Sequence, residues 1–133
     1  RALSNSLAKL NLTYVDLYLQ HHPWDSGPAM QKVWKQMEEF YQEGQVRALG
    51  GGSHGPHIIQ RLCKEAQFEP PAVMYEKWDV FHRGSNERAL RKVEKEHGVR
   101  MVATGPIHGT PYELSCFLDP IVKSVARRLG RSP

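Results

Sequence analysis

Four short apolar runs recur along the chain at a nearly constant interval, beginning near residues 14, 46, 72 and 99, and a helical pattern fills each gap between them. This spacing constrains the fold more than any other feature. A tight turn can only reverse a chain, so two strands joined through a helix lie parallel. The alternation therefore predicts an α/β architecture, with a parallel sheet and helical crossovers. Repeat units of about 30 residues fit either a (β/α) barrel or an open doubly wound sheet. In both, chemistry gathers at the carboxyl ends of the strands.

The first strand, predicted over 14–20, ends on an unusual tip. Val15, Leu17 and Leu19 alternate with Tyr14, Asp16 and Tyr18, which predicts the first three as its buried set. His21, His22 and Pro23 follow, and the proline stops the strand. Two imidazoles at a strand's carboxyl end are placed for chemistry, because histidine titrates near neutrality. The plain alternative is a pair of solvated loop histidines.

The other elements follow from pattern. A leading helix over 1–10 places Leu3, Leu7 and Leu10 on one face. Pro28 suits a first helical position, and Met30, Val33, Trp34, Met37, Phe40 and Tyr41 recur at helical spacing up to the stop at Gly44. Trp34 belongs to the core by this spacing. The second strand is predicted over Val46–Leu49 and runs into Gly50-Gly51-Gly52-Ser53. A helix from Pro56 turns Ile59, Leu62, Cys63 and Ala66 inward. Pro70-Pro71 forces an extended approach to a third strand, Ala72–Tyr75. Ser85 caps a helix reaching to His97, with Ala89, Leu90 and Val93 inward, and a fourth strand covers Val99–Ala103. After a long loop, Asp119-Pro120 caps a last helix carrying Ile121, Val122, Val125, Ala126 and Leu129.

Composition narrows the function classes. The 133 residues suffice for one domain, 1–133, with a real core. The formal charge of +4 is spread among acidic residues, and no basic stripe interleaved with aromatics appears, so nucleic acid is not an expected partner. No run approaches the ~20 apolar residues of a membrane span. Cys63 and Cys116 sit among apolar neighbours and read as free thiols, which suits the cytoplasm or another reducing compartment. His54 and His57 lack the acidic or cysteine partners that would complete a metal set, so no metal is expected. The chain opens on Arg1 inside a helical pattern, and residues 130–133 read like the cap of another helix. Both ends therefore read as cut.

One motif points elsewhere. Gly50 to Gly55 satisfies G-x-G-x-x-G between a strand and a helix, and Glu76 ends the next strand about where a ribose-binding acid would stand. A Rossmann-type protein would cradle a pyrophosphate there on backbone N–H groups. Against this, Pro56 removes a donor and delays the helix start. The other reading is that the glycines let the backbone leave a strand and approach a ligand closely.

Four segments together resemble a known family. Asn11 to Pro23, with Tyr14-Val15-Asp16-Leu17 followed by a histidine before X-Pro, resembles the fourth-strand signature of aldo-keto reductases. Glu43 to Gly50 is similar to that family's Glu-Gly-Lys-Val-Arg-X-Ile-Gly. Pro70 to Val73 is similar to its next strand opening, and His97-Gly98-Val99 through Pro106 to its His-Gly-Ile-X-X-X-Ala-Tyr-Ser-Pro. Order and spacing agree across nearly the whole chain. The resemblance implies about half of a TIM-type barrel, its fourth to seventh strands. It also implies an oxidoreductase that reduces aldehydes or ketones with NADP(H) or NAD(H). In the family, a Tyr–Lys–Asp–His tetrad handles the proton, and the histidine orients the carbonyl. By alignment that histidine is His21; the other three members precede residue 1.

The resemblance also exposes departures. Where the family binds the carboxamide with Ser-Asn, this sequence has Gly52 and Ser53; Met74 and Tyr75 replace Asn-Gln; Thr104 replaces the tyrosine that stacks on the nicotinamide. Ser53 retains a donor, and Tyr75 or Trp78 supplies a flat face. The expected cofactor contacts are thus Gly52, Ser53, Tyr75 and Thr104. A small carbonyl substrate would meet His22, Trp24 and Trp78, with His82 and His108 as further loop candidates. A different outcome follows if the substitutions abolish cofactor binding: a non-catalytic barrel acting as a subunit or regulatory module. Four strands alone leave two parallel edges open, which a protein partner would cover if the chain is this short.

Overall fold

The computed structural model describes residues 2–21, 27–52, 55–81, 87–107 and 116–133. Helix α1 covers Ala2–Leu10 and strand β1 Tyr18–Gln20, followed by α2 (Gly27–Gln42), β2 (Leu49–Gly52), α3 (Gly55–Glu65) and β3 (Val73–Lys77). Then come α4 (Glu87–His97), β4 (Arg100–Thr104), a 3₁₀ turn (Cys116–Leu118) and α5 (Pro120–Arg128). The strands form one four-stranded sheet in the order β1-β2-β3-β4. Each strand lies beside the next in sequence, as helical crossovers of one hand require. Tyr18 pairs with Leu49 and Gly50 with Val73 in parallel register. The ascending bonds Arg100 N–H to Ala72 O and Trp78 N–H to Thr104 O continue the parallel sense to β4.

The chain divides into two compact units, Arg1–Glu76 with Asn86–Val102, and Lys77–Ser85 with Ala103–Pro133. One cluster in the core of the first unit spans four elements. It joins Leu3 and Leu7 of α1, Met30, Trp34 and Met37 of α2, Val46 and Leu49 at β2, and Leu62 of α3. Tyr18 packs on its edge, with its ring 6.1 Å from Phe40 in an edge-to-face contact. Trp34 is the core residue that helical spacing predicts.

Several boundaries and faces differ from the sequence reading. β1 is only Tyr18–Gln20, with an isolated parallel bridge between Val15 and Val46 upstream. A bend at Asp16 separates the bridge from the strand and shifts the alternation by one residue. Val15 and Tyr18 therefore pack toward the core, whereas Leu17 and Leu19, predicted buried, are each 39% exposed on the opposite face. β2, predicted over Val46–Leu49, begins at Leu49 and continues through the glycines to Gly52, so Gly50 to Gly52 are ladder residues. β3 and β4 each begin one residue later than predicted and extend to Lys77 and Thr104. Leu10 is 60% exposed, because the α1 end turns it away, and Ala89 is exposed on α4 beside the buried Leu90 and Val93. Ser85, the predicted cap of α4, lies outside the described residues.

Helix ends follow their side chains. Asn11 takes φ 54°, and Asn11 N–H donates to Ala8 O while Leu12 N–H donates to Leu7 O, a Schellman cap. Gly44 closes α2 the same way at φ 71°, as its position predicts. Nothing lies within 4 Å of a Cβ built there. Gly44→Ala therefore meets backbone strain alone, and a loss of about 1 kcal/mol in denaturant unfolding is expected. Asp119 caps α5, its Oδ1 accepting from Ile121 N–H at 2.8 Å and Val122 N–H at 2.9 Å. On that helix Ala126 is buried, but Ile121 and Leu129 are largely exposed.

Between α2 and β3, a single carboxylate organises a turn that no periodicity reveals. Glu38, 2% exposed, presents Oε1 to three successive backbone donors: Gln67 N–H and Phe68 N–H at 2.8 Å, and Glu69 N–H at 3.1 Å. Trp34 Nε1–H donates to Glu69 O at 3.1 Å on the same turn. Tyr41 also reaches it, and the Glu69 carboxylate holds that phenol above its ordinary range through a hydrogen bond first and its charge second.

Candidate functional site

Adjacent strand ends bring three of the predicted site residues together. Gln20 pairs with Gly51 and Gly52 with Tyr75, so His21, Gly52 and Tyr75 stand side by side across β1, β2 and β3. On the ladder, Leu19, Gly50, Gly52, Val73 and Tyr75 share one face by alternation, opposite the face on which Leu49 and Met74 are fully buried. His21 is exposed at the β1 tip. The Tyr75 hydroxyl donates to the His21 carbonyl oxygen at 2.6 Å, and the two rings lie 6.1 Å apart, tilted by 58°. Burial, with the Glu76 charge adding to it, pushes the Tyr75 phenol above its ordinary value. The ring stays protonated and keeps its donor.

Gly52 makes this reach possible. A Cβ built on Gly52 would lie 1.9–2.4 Å from three Tyr75 ring atoms. The ring thus fills the space a side chain at 52 would need. Gly50 is closed for a different reason, since its Cβ would meet the Val73 backbone oxygen at 2.3 Å and Leu19 Cδ2 at 2.6 Å.

Among the described residues of the glycine-rich segment, the donor at the helix start is already engaged. Gly55 N–H at the start of α3 donates to Glu76 Oε1 at 3.2 Å. The protein's own carboxylate thus sits at the positive end of the helix, where the dinucleotide reading places a pyrophosphate. Glu76 serves as a cap there, and the sequence reading missed that role. A glutamate at the end of the next parallel strand is its only sequence signal.

Thr104 and Trp78 belong to the second unit. Trp78 N–H donates to Thr104 O at 3.2 Å, with Trp78 half-buried and Thr104 exposed. Beside them Asp79 is buried and accepts from Phe81 N–H at 2.8 Å. This Asx turn is legible in a short polar stretch but was not singled out. His22, Trp24, Ser53, His54, His82 and His108 lie outside the described residues. His57 is exposed on α3, and His97 occupies the last turn of α4. Among the described residues no three histidine, cysteine or acidic side chains converge on a metal position, and no helix is long and apolar enough to cross a membrane.

A parallel sheet with one helix per crossover defines a (β/α) protein, and His21 stands at the carboxyl end of a strand, where such folds carry their chemistry. The sequence model of the Aldo/keto reductase family matches residues 1–113, and the chain belongs to that family. It is 30% identical over 132 residues to the 9,11-endoperoxide prostaglandin H2 reductase of Trypanosoma cruzi, covering 99% of this chain and 44% of that one. It is 31% identical over 106 residues to the glyoxal reductase of Bacillus subtilis, covering 80% of this chain and 36% of that one. A crystal structure of an aldo/keto reductase from Brucella melitensis superposes with a TM-score of 0.80 at 27% identity, over 98% of this chain and 47% of that one. The chain spans about half the length of the relatives it matches. Its four strand–helix units are about half of a TIM-type barrel, as the resemblance implies, and the doubly wound alternative falls away.

Proposed function

We propose that this chain is the part of an NAD(P)H-dependent oxidoreductase that carries the carbonyl-orienting histidine, and that the whole protein reduces small aldehydes or ketones to alcohols. One observation carries the reading: His21 stands exposed on the β1 tip, its carbonyl tied by the Tyr75 hydroxyl, at the position where the family resemblance puts that histidine. An imidazole N–H aimed at the carbonyl oxygen donates more strongly as negative charge grows there. The nicotinamide, when bound, supplies the hydride.

The strand ends suit a flat ring. With Gly52 bare and the Tyr75 ring over it, they present backbone and an aromatic surface in place of a polar side chain. Ser53 is left as the carboxamide donor, and Thr104 takes the place of the stacking tyrosine. His22, Trp24 and Trp78 are the substrate contacts in this reading. NADP(H) is the first cofactor to test, because two relatives are named NADP-dependent D-sorbitol-6-phosphate dehydrogenase and NADPH-dependent alpha-keto amide reductase. Methylglyoxal is the first substrate to test, because a 28% identical relative is named methylglyoxal reductase. Two free thiols suit a reducing compartment such as the cytoplasm.

A second reading, a non-catalytic barrel, is favoured by Met74. It stands where the resemblance puts the asparagine of an Asn-Gln pair, and here it is fully buried on the core face. Titrating the intact protein with NADPH, and separately NADH, by tryptophan fluorescence separates the two readings. Saturable binding at micromolar concentration, with loss of NADPH absorbance on adding methylglyoxal, is the expected result. Absence of binding by both cofactors would reject the reductase reading and leave the second.

A further inference from the structure

We propose that Tyr75 is a positioning residue for His21, and that Gly52 is glycine so that the Tyr75 ring can cross β2 to reach it. The inference rests on the reductase reading for its kinetic consequences, but its geometry stands by itself. The strand register sets Tyr75 and His21 on either side of Gly52, two strand spacings apart. Neighbouring strands lie about 4.8 Å apart, so a direct link from β3 to β1 must span roughly 10 Å. A tyrosine is long and rigid enough to make that span. Its hydroxyl arrives at the His21 carbonyl at 2.6 Å. The path is clear only because residue 52 has no side chain: any Cβ there would collide with the ring.

The bond holds the peptide that carries His21, not the imidazole itself. β1 has three ladder residues and ends at Gln20, so His21 is the first residue past the last strand pairing. A residue in that place has φ and ψ freedom unless something fixes it. The Tyr75 hydroxyl holds its carbonyl, and so fixes the backbone from which the imidazole projects. Preorganisation of a hydrogen-bond donor is what makes it effective in a transition state. Removing the bond should therefore cost turnover more than substrate or cofactor affinity.

The test uses Tyr75→Phe and Gly52→Ser, singly and together, in the intact protein, with methylglyoxal and NADPH as probes. Tyr75→Phe keeps the ring and deletes only the donor. Gly52→Ser places a side chain in the path of the ring. Tyr75→Phe, which leaves the ring surface in place, is expected to lower kcat five- to twenty-fold with the KM for NADPH changed less than twofold; Gly52→Ser is expected to lower kcat at least as much, whatever it does to the KM for NADPH, and the double variant to be no worse than the worse single variant. The His21 imidazole ¹³C–¹H resonance, assigned by its loss in His21→Gln, is expected to shift or broaden in both single variants. Unchanged kcat in Tyr75→Phe, or full multiplication of the two losses, would overturn the proposal. If the unmodified protein reduces no carbonyl, the reductase reading fails, and the resonance decides the positioning claim alone. A His21 signal indifferent to both substitutions then overturns it.

Discussion

Replacing His21 with alanine in the intact protein is expected to lower kcat for a small aldehyde by about 10²–10³-fold, with little change in the KM for the nicotinamide cofactor. That is the usual scale for deleting one donor to a developing oxyanion. The split between kcat and KM matters, because the imidazole is proposed to act on charge present only in the transition state. His21→Gln keeps an N–H donor of similar reach and should retain about a tenth of the activity. Steady-state kinetics with methylglyoxal and NADPH check both variants. Equal activity in His21→Ala and the unmodified protein would remove His21 from the chemistry and return it to the solvated loop histidines.

The largest stability effect is expected at Glu38. Its Oε1 accepts from three successive backbone N–H groups while the residue is 2% exposed. Glu38→Ala deletes the acceptor and leaves a void beneath the turn. Hydrogen bonds to a charged group each contribute about 1.5–3 kcal/mol, and an abandoned buried donor costs about 1–3 kcal/mol. The turn recovers part of this by admitting water, so a net loss of about 3 kcal/mol is expected. Glu38→Gln keeps a carbonyl oxygen in place and should lose about 1 kcal/mol, the difference between charged and neutral acceptors. Urea unfolding of the intact protein, followed by circular dichroism, measures both. A loss under 1 kcal/mol for the alanine variant would show that the turn holds without the carboxylate.

Strand–helix alternation was legible because every crossover needs its own amphipathic stretch, and Met30, Trp34, Met37, Ile59, Leu62, Leu90 and Val93 all mark one. The stops were legible for the same local reason: Gly44 and Asp119 act on their own helix ends. What depended on distant partners was not legible. The bend at Asp16, which turned Leu17 and Leu19 to the other face, is matched by a bend at Arg47 in the neighbouring segment, with Val15–Val46 and Tyr18–Leu49 paired in one register on either side. Glu38 reads as one more polar residue on a helix, since its partners lie about 30 positions away. The second strand is predicted to stop at Leu49 because strand propensity discounts glycine, while the ladder tolerates it where neighbouring side chains need the room. At the site, His21 was legible from its place at a strand end, and Tyr75 as an aromatic nearby. The bond between them was not, because it depends on register across three strands.

Gly50 and Gly52 look alike in the sequence, yet they constrain the lineage of this protein differently. Gly50 is barred from growing by the Val73 main-chain oxygen, an atom no substitution can delete. At Gly52 the nearest obstacle is a side chain, the Tyr75 ring. A path from this chain toward a serine at position 52 is therefore directional: residue 75 must shrink first, and the reverse order passes through a collision. Variants bearing both changes should be readily found where Gly52→Ser alone is selected against, and among divergent copies of this gene a bulky residue at 75 should be tied to glycine at 52.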